Sequence, residues 1–160
     1  MRAALSGWRL SGSFRALTGP WLNILTGSDI AQNGQQGTQR PNQTLDDPYG
    51  DRSINPVNGG IKWLNPLAFT QPAPGTFGTM QRNSVRGPGS KNIDLVLSRN
   101  FNLKGSQAIE IRAEAFNALN WFQMGTPGVS LFNTATFGQI TSSSNSISPR
   151  VMQFAVKYAF

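Results

Sequence analysis

Residues 150–160, RVMQFAVKYAF, decide how the rest of the chain is read. Met152, Phe154, Val156, Tyr158 and Phe160 hold alternate positions, with Val151, Gln153, Ala155, Lys157 and Ala159 between them. A period of two belongs to a β-strand, whose successive side chains point to opposite faces. A helix cannot gather those five bulky groups on one side. One face is therefore bulky and apolar, the other small or polar. In a soluble sheet the bulky face would cover a core. In a membrane-spanning barrel it would meet lipid, and the small polar face would look into the lumen. This segment alone leaves both open.

Upstream, residues 108–119 read AIEIRAEAFNAL. Ala, Glu, Arg and Leu are good helix formers. As a strand, Ile109, Ile111, Ala113 and Ala115 face one way and Glu110, Arg112 and Glu114 the other. The strand reading is preferred because residues 92–104, NIDLVLSRNFNLK, precede it through a short Lys104-Gly105-Ser106 turn that calls for an antiparallel partner. In 92–104, Ile93, Leu95, Leu97 and Phe101 share one parity and Asp94, Ser98, Asn100 and Asn102 the other; Val96 and Arg99 break the pattern. Paired carboxylates can do acid–base work. Arg112 lies between Glu110 and Glu114, so a salt-bridge ladder on the wet face is the better reading. Residues 8–16 alternate again, with Trp8, Leu10, Gly12, Phe14 and Ala16 opposite Arg9, Ser11, Ser13 and Arg15. Gly19-Pro20 interrupts this strand, and Trp21–Leu25 either continues it with a bend or pairs as a hairpin.

The composition narrows the class. Only 13% of the 160 residues are charged, well below the roughly 25% of a typical soluble domain. No apolar run approaches the ~20 residues of a membrane helix, which leaves barrel strands of ~9–11 residues untouched. There is no cysteine and no histidine, which removes disulfides, thiolate and imidazole metal sites and His-based catalysis. No cofactor, metal site or catalytic residue is expected, and the chain does not read as an enzyme. The net charge of +7 is spread over the chain with no Lys/Arg block, which argues against nucleic acid as a partner. Residues 26–91 hold most of the ten prolines and little periodicity, and 120–149 return to that composition with a Ser/Asn-rich tract at 142–148. Structureless connections this long argue against a compact soluble domain. The first connection has Trp63, Phe69 and Phe77 to bury, so it is not expected to be wholly disordered. TFGQI at 136–140 is expected to extend the edge of the last strand. Gly87-Pro88-Gly89-Ser90-Lys91 lacks the spacing of a phosphate-binding loop and precedes a strand. MRAALS at 1–6 is too short for a secretory signal, so the chain is expected to be the tail of a longer protein.

WRLSGSFRALTGPWLNILTG, Arg40-Pro41, WLNPLAF, FGTMQRNSVRGPG, IDLVLSRNFNL, IEIRAEAFNALN and FGQI…RVMQFAVKYAF occur in that order. As an ordered set they resemble the carboxy-terminal end of TonB-dependent outer-membrane receptors of the Oar-like type, which carry an amino-terminal carboxypeptidase-regulatory-like domain. The resemblance covers nearly the whole chain, but not the family's signal, TonB box, regulatory-like domain, plug or earlier strands. It implies an all-β fold, an antiparallel meander of about four long strands over 7–25, 92–103, 108–119 and 150–160. These would be the closing part of a large transmembrane barrel of about 22 strands, with long extracellular loops 26–91 and 120–149.

The resemblance further implies a bacterial outer-membrane location and a role in receptor-mediated transport. Met152, Phe154, Val156, Tyr158 and Phe160 would form the carboxy-terminal assembly signal. Arg9, Arg15, Glu110, Arg112, Glu114 and Lys157 would face the lumen, and Trp8, Phe101 and Phe160 would lie at the periplasmic rim. The implied partners are outer-membrane lipid, the outer-membrane assembly machinery and an unidentified transported ligand. An energy-coupling protein would be reached only through amino-terminal parts that this sequence lacks. Two other readings stay open: a cell-surface structural or adhesion barrel, and a soluble secreted β-domain that binds carbohydrate or protein. A plug domain upstream would favour transport, and solubility without detergent would favour the secreted domain.

Overall fold

The computed structural model describes residues 6–144 and 147–160; the opening stretch 1–5 and residues 145–146 of the Ser/Asn-rich tract lie outside the described residues. The strands in chain order are β1 (Trp8–Leu17), β2 (Trp21–Leu22), β3 (Asn42–Gln43), β4 (Ile61–Lys62), β5 (Phe69–Thr70), β6 (Val85–Arg86), β7 (Ser90–Asn102), β8 (Ala108–Phe116), β9 (Gln139–Ile140) and β10 (Val151–Ala159). One 3-10 turn, Pro66–Ala68, is capped by the Asn65 side chain, which accepts from the Leu67 N–H. The fold is all-β and antiparallel. It divides into two compact units, one made of 1–17, 90–123 and 145–160, the other of 18–89 and 124–144.

The first unit is a four-stranded sheet in the order β1-β7-β8-β10, every neighbour antiparallel. Residues 108–119 are strand rather than helix up to Phe116. The β7–β8 hairpin closes through a Leu103 N–H to Gln107 carbonyl bond of 2.9 Å, with Gly105 at φ 72°. A left-handed residue is needed at that tight reversal, and glycine adopts it without a Cβ penalty. At the opposite end β8 stops where Asn117 enters the left-handed region at φ 48°. Its N–H donates to Asp94 and its carboxamide bonds the backbone of Trp121 and Ser148. Asparagine tolerates this conformation because its short polar side chain bonds locally.

Registers place the alternating residues in rows across the sheet. One face carries Leu10, Leu97, Ala113 and Phe154 in one row, then Trp8, Arg99, Ile111 and Val156 in the next. Phe101, Ile109 and Tyr158 form the row beyond. The apolar groups at its centre stay open: Leu10 is 70% exposed, Phe154 75% and Val156 73%. The outer edges of β1 and β10 have no strand partner among the described residues.

The second unit differs from the expectation of two irregular loops. Its buried core is Leu22, Ile24, Leu64, Ala68, Phe69, Met80, Val85 and Phe137, with Tyr49, Trp63, Val129 and Leu131 packed against it. Two-residue pairings hold its segments together: β2 with β6, β3 with β5, and β4 with β9. The first long strand therefore ends at Leu17; Trp21–Leu22 neither continues it nor forms a local hairpin, but pairs with Val85–Arg86. TFGQI does not extend β10, because Gln139–Ile140 pairs with Ile61–Lys62. Close backbone approaches explain why these crossings need glycine. A Cβ on Gly19 would strike the Gly87 carbonyl, and one on Gly78 the carbonyls of Arg40 and Pro41.

Two outcomes follow from this division. Ile24 is fully buried, so Ile24→Ala is expected to weaken the second unit by about 2–5 kcal/mol; amide exchange of residues 18–89 should report it, and unchanged exchange there would count against a packed core. The uncovered sheet face makes the chain an aggregation template in water. A monomer is expected in detergent and aggregates without it, by sedimentation; a sharp cooperative unfolding of a detergent-free monomer would contradict this.

Candidate functional site

The sheet has a second, polar face. Rows on it read Arg9, Ser98, Arg112 and Ala155, then Asn100, Glu110 and Lys157, and on the other side Ser11, Val96, Glu114 and Gln153. Arg15 lies opposite Asn92 on the same face. All six charged residues singled out in the sequence, Arg9, Arg15, Glu110, Arg112, Glu114 and Lys157, thus share one face. Arg112 contacts Glu110 at 3.5 Å and Glu114 at 3.4 Å. The pairs are partly exposed and contribute about 0–1 kcal/mol at most. What they do is place alternating charge along a surface that stays wet. Asp94 anchors one end of this face, accepting from Ser13, Asn92 and the Asn117 N–H.

The apolar face carries aromatics at both ends. Phe14 meets Trp121 edge-on at 6.5 Å between centroids, while Trp8, Phe101, Tyr158 and Phe160 gather at the other end, with Tyr158 and Phe160 stacked at 6.1 Å. From the Phe14–Ile93 row to the Phe101 row, β7 runs about 27 Å along the strand. Tilted ~40°, that is about 20 Å, close to the ~25 Å apolar band between the aromatic girdles of outer-membrane barrels. Met152, Phe154, Val156 and Tyr158 line this face of β10, and Phe160 continues their parity.

Arg99, a break in the sequence pattern, stands on the apolar face. Its guanidinium lies 5.1 Å from the Trp8 ring centroid and 4.5 Å from that of Phe101. Ring faces attract a cation, and its long stem covers apolar surface while the charged head reaches the rim. Val96 is the converse, an apolar residue in a polar row between Ser11 and Glu114.

The second unit builds a separate polar surface. Arg52, at φ 62°, stacks on Trp63 at 3.4 Å and lies 5.1 Å from the Tyr49 centroid, and it donates to the Trp63 carbonyl. Trp63 Nε1 donates to the Arg86 carbonyl, the Arg86 N–H donates to the Tyr49 hydroxyl, and the Arg86 guanidinium covers Trp21 at 3.8 Å. Burial lowers the Arg52 guanidinium from its ordinary value, though an arginine stays protonated. Beside this stack a cleft of about 480 Å³ is lined by Asp47, Asp51, Lys62, Tyr49 and Asn65 among others. The Ser53 hydroxyl and N–H hold the Asp51 carboxyl below its ordinary value. Sequence reasoning missed this cluster, because Tyr49, Arg52, Trp63 and Arg86 are far apart and follow no period. Among the described residues no group of three or more His, Cys, Asp or Glu is placed to hold a metal.

A sheet with one bare apolar face bounded by aromatics and one charged face is the wall of a membrane-spanning barrel. The chain belongs to the family described as outer membrane beta barrel domain, whose model matches residues 1–153. It is a protein of the bacterial outer membrane, and its long strands serve as barrel wall. No curated protein and no solved structure matches it.

The second unit contains a pH-sensitive turn. Partial burial pushes the Asp29 carboxyl up, but the Gly34 N–H, the Gln39 carboxamide and the Asn33 N–H outweigh it and hold the group below its ordinary value. A lowered carboxylate stabilises the fold above its unfolded pKa of ~3.9, and that contribution is lost as pH falls through the folded value. The 29–39 turn is therefore expected to loosen below about pH 4, seen as lost amide protection at Gly34. Asp29→Asn should abolish the pH step; a step that persists in that variant would place its origin elsewhere.

Proposed function

We propose that this chain supplies wall and ligand-capturing loops to a TonB-dependent outer-membrane transporter of the Oar-like type. The observation that carries the proposal is the polar face. Its long charged side chains stand on β1, β8 and β10, and Arg112 with its Glu110 and Glu114 partners stays partly exposed. Small barrels fill their interior with packed side chains, whereas large ones hold water or an interior domain. Arg9, Arg15, Arg112 and Lys157 with Glu110 and Glu114 suit the second case. The two open sheet edges agree with a barrel of many more strands. The ordered set of motifs from Trp8 to Phe160 supports the receptor type.

In this reading the apolar face meets outer-membrane lipid. The β10 alternation ending at Phe160 is the signal read by the assembly machinery. Both long connections leave the sheet from the end where β1 and β8 finish and β7 and β10 begin, opposite the short β7–β8 turn. That end is assigned to the cell exterior, where long loops belong. A packed loop unit with a core of its own suits ligand capture better than mere closure, because ordering so many residues costs entropy that a passive loop need not meet. Coupling to the inner membrane is assigned to no residue of this chain, nor is any catalytic step or nucleic-acid contact.

Planar-bilayer conductance in potassium chloride tests the proposal. The complete transporter that carries this chain is expected to be nearly silent in buffer and to open reversibly when moderate urea loosens its interior domain. Once open, Arg9→Glu with Arg15→Glu should shift its selectivity toward cations. A steadily open channel without urea overturns the gated reading, and silence under both conditions points to a structural or adhesion barrel. An unchanged selectivity removes the polar face from the lumen.

A further inference from the structure

The second unit holds another cleft, of about 330 Å³, between the 33–40 segment and Phe77–Gly78. We propose that it binds one or two rings of a neutral oligosaccharide; the role of that sugar as cargo rests on the transporter reading above.

Three features carry the proposal. The first is an aromatic platform. Phe77 is 69% exposed, and the backbone that follows it is tied to the 40–42 segment. Gly78 sits against the carbonyls of Arg40 and Pro41, the Thr79 N–H donates to Asn42, and the Met80 N–H donates to the Pro41 carbonyl. Arg40 Nε closes the same seam on the Met80 carbonyl at 2.9 Å.

The second is the opposite wall. Gln39 is buried and spends its carboxamide inside the turn, on Asp29, Asn33 and the Gln35 carbonyl, while accepting from the Ala31 N–H. Asn33 Oδ1 accepts from Gln39 and from the Gln35 N–H, which fixes its plane. The Asn33 Nδ2 group, the Gln35 carboxamide and the Thr38 hydroxyl have no partner among the described residues and line the cleft. These are planar amide and hydroxyl groups on a preformed frame, so little ordering entropy opposes binding.

The third is charge. No carboxylate lines the cleft, and its one cation, Arg40, has part of its guanidinium committed to Met80. A phosphate ligand would find one partial partner. An apolar ligand would leave the Asn33 and Gln35 amides unpaired in a closed contact, which is costly. A sugar ring offers what both walls lack: a face of C–H groups for Phe77, and vicinal hydroxyls that donate and accept to amides on the other side. The volume lies at the small end of ligand sites, ~300–1,000 Å³. The cleft lined by Asp47, Asp51 and Lys62 has the charge this one lacks.

Saturation-transfer NMR on the full protein in detergent tests the site, with maltotriose, cellotriose and xylotriose as probes and trialanine as the peptide control. At least one trisaccharide should show transfer at millimolar concentration. Phe77→Ala should weaken it about tenfold, Phe77→Tyr should retain it, and Asn33→Ala with Gln35→Ala should abolish it. Unchanged amide exchange at Ile24 would show that the variants remain folded. The site is overturned by no transfer from any trisaccharide, by binding that survives both the Phe77→Ala and the double variant, or by transfer from trialanine alone. Saccharide binding by a protein that never conducts leaves the site in place and removes the cargo role. Gated conductance without saccharide binding removes the site and leaves the transporter.

Discussion

Backbone pairing between long antiparallel strands governs this molecule, because it commits every side chain in β1, β7, β8 and β10 to one of two faces. Once Leu10 stands opposite Leu97, and Leu97 opposite Ala113, the rows on both faces follow without further choice. A one-residue slip would send Phe154 and Val156 to the charged face and Lys157 to the apolar one. Among the described residues no apolar side chain of these four strands is buried, so the sheet has no hydrophobic core of its own. Its stability depends on a solvent that accepts an apolar surface on one side and water on the other. The outer membrane supplies the first of these, and the transporter reading gives the second as a wet lumen.

The packed core lies instead in the segments between the strands. Ile24, Leu64 and Val85 are almost wholly buried, and Tyr49 and Trp63, the rings nearest Arg52, pack against that core. A water-facing region can use the hydrophobic effect in the ordinary way, by hiding apolar groups from solvent. The two units therefore apply the same force in opposite senses. The sheet leaves its apolar groups outward, and the connections bury theirs. A rigid connection with clefts in its surface has its side chains placed before a ligand arrives, which is what recognition by amides and a single aromatic ring requires.

Much of the sheet was legible in the sequence. The alternation in RVMQFAVKYAF and in Trp8–Ala16 assigned faces, and the Lys104-Gly105-Ser106 turn decided between strand and helix for AIEIRAEAF. The parting of Arg9 and Arg15, of Glu110, Arg112 and Glu114, and of Lys157 from the apolar positions of their own strands was readable for the same reason, while their gathering on one face of the sheet needed the registers between strands. Arg99 was legible only as a violation. Its place between Trp8 and Phe101 requires knowing that those two rings flank it across and along the sheet.

The second unit was not legible, and the cause is physical. Its strands are two residues long, too short to show a period. Its pairings join Trp21 to Arg86 and Ile61 to Ile140 across long stretches of chain. Glycine and proline there read as breakers, yet Gly19, Gly78 and Gly87 mark close crossings of backbone whose partners only the folded chain supplies. The sequence by itself determined which side chains share a face of each long strand, because that depends on neighbours two positions away. Only the tertiary structure decided that the connections fold around Ile24 and Val85 and open a cleft beside Phe77, because those contacts exist only once distant segments have met.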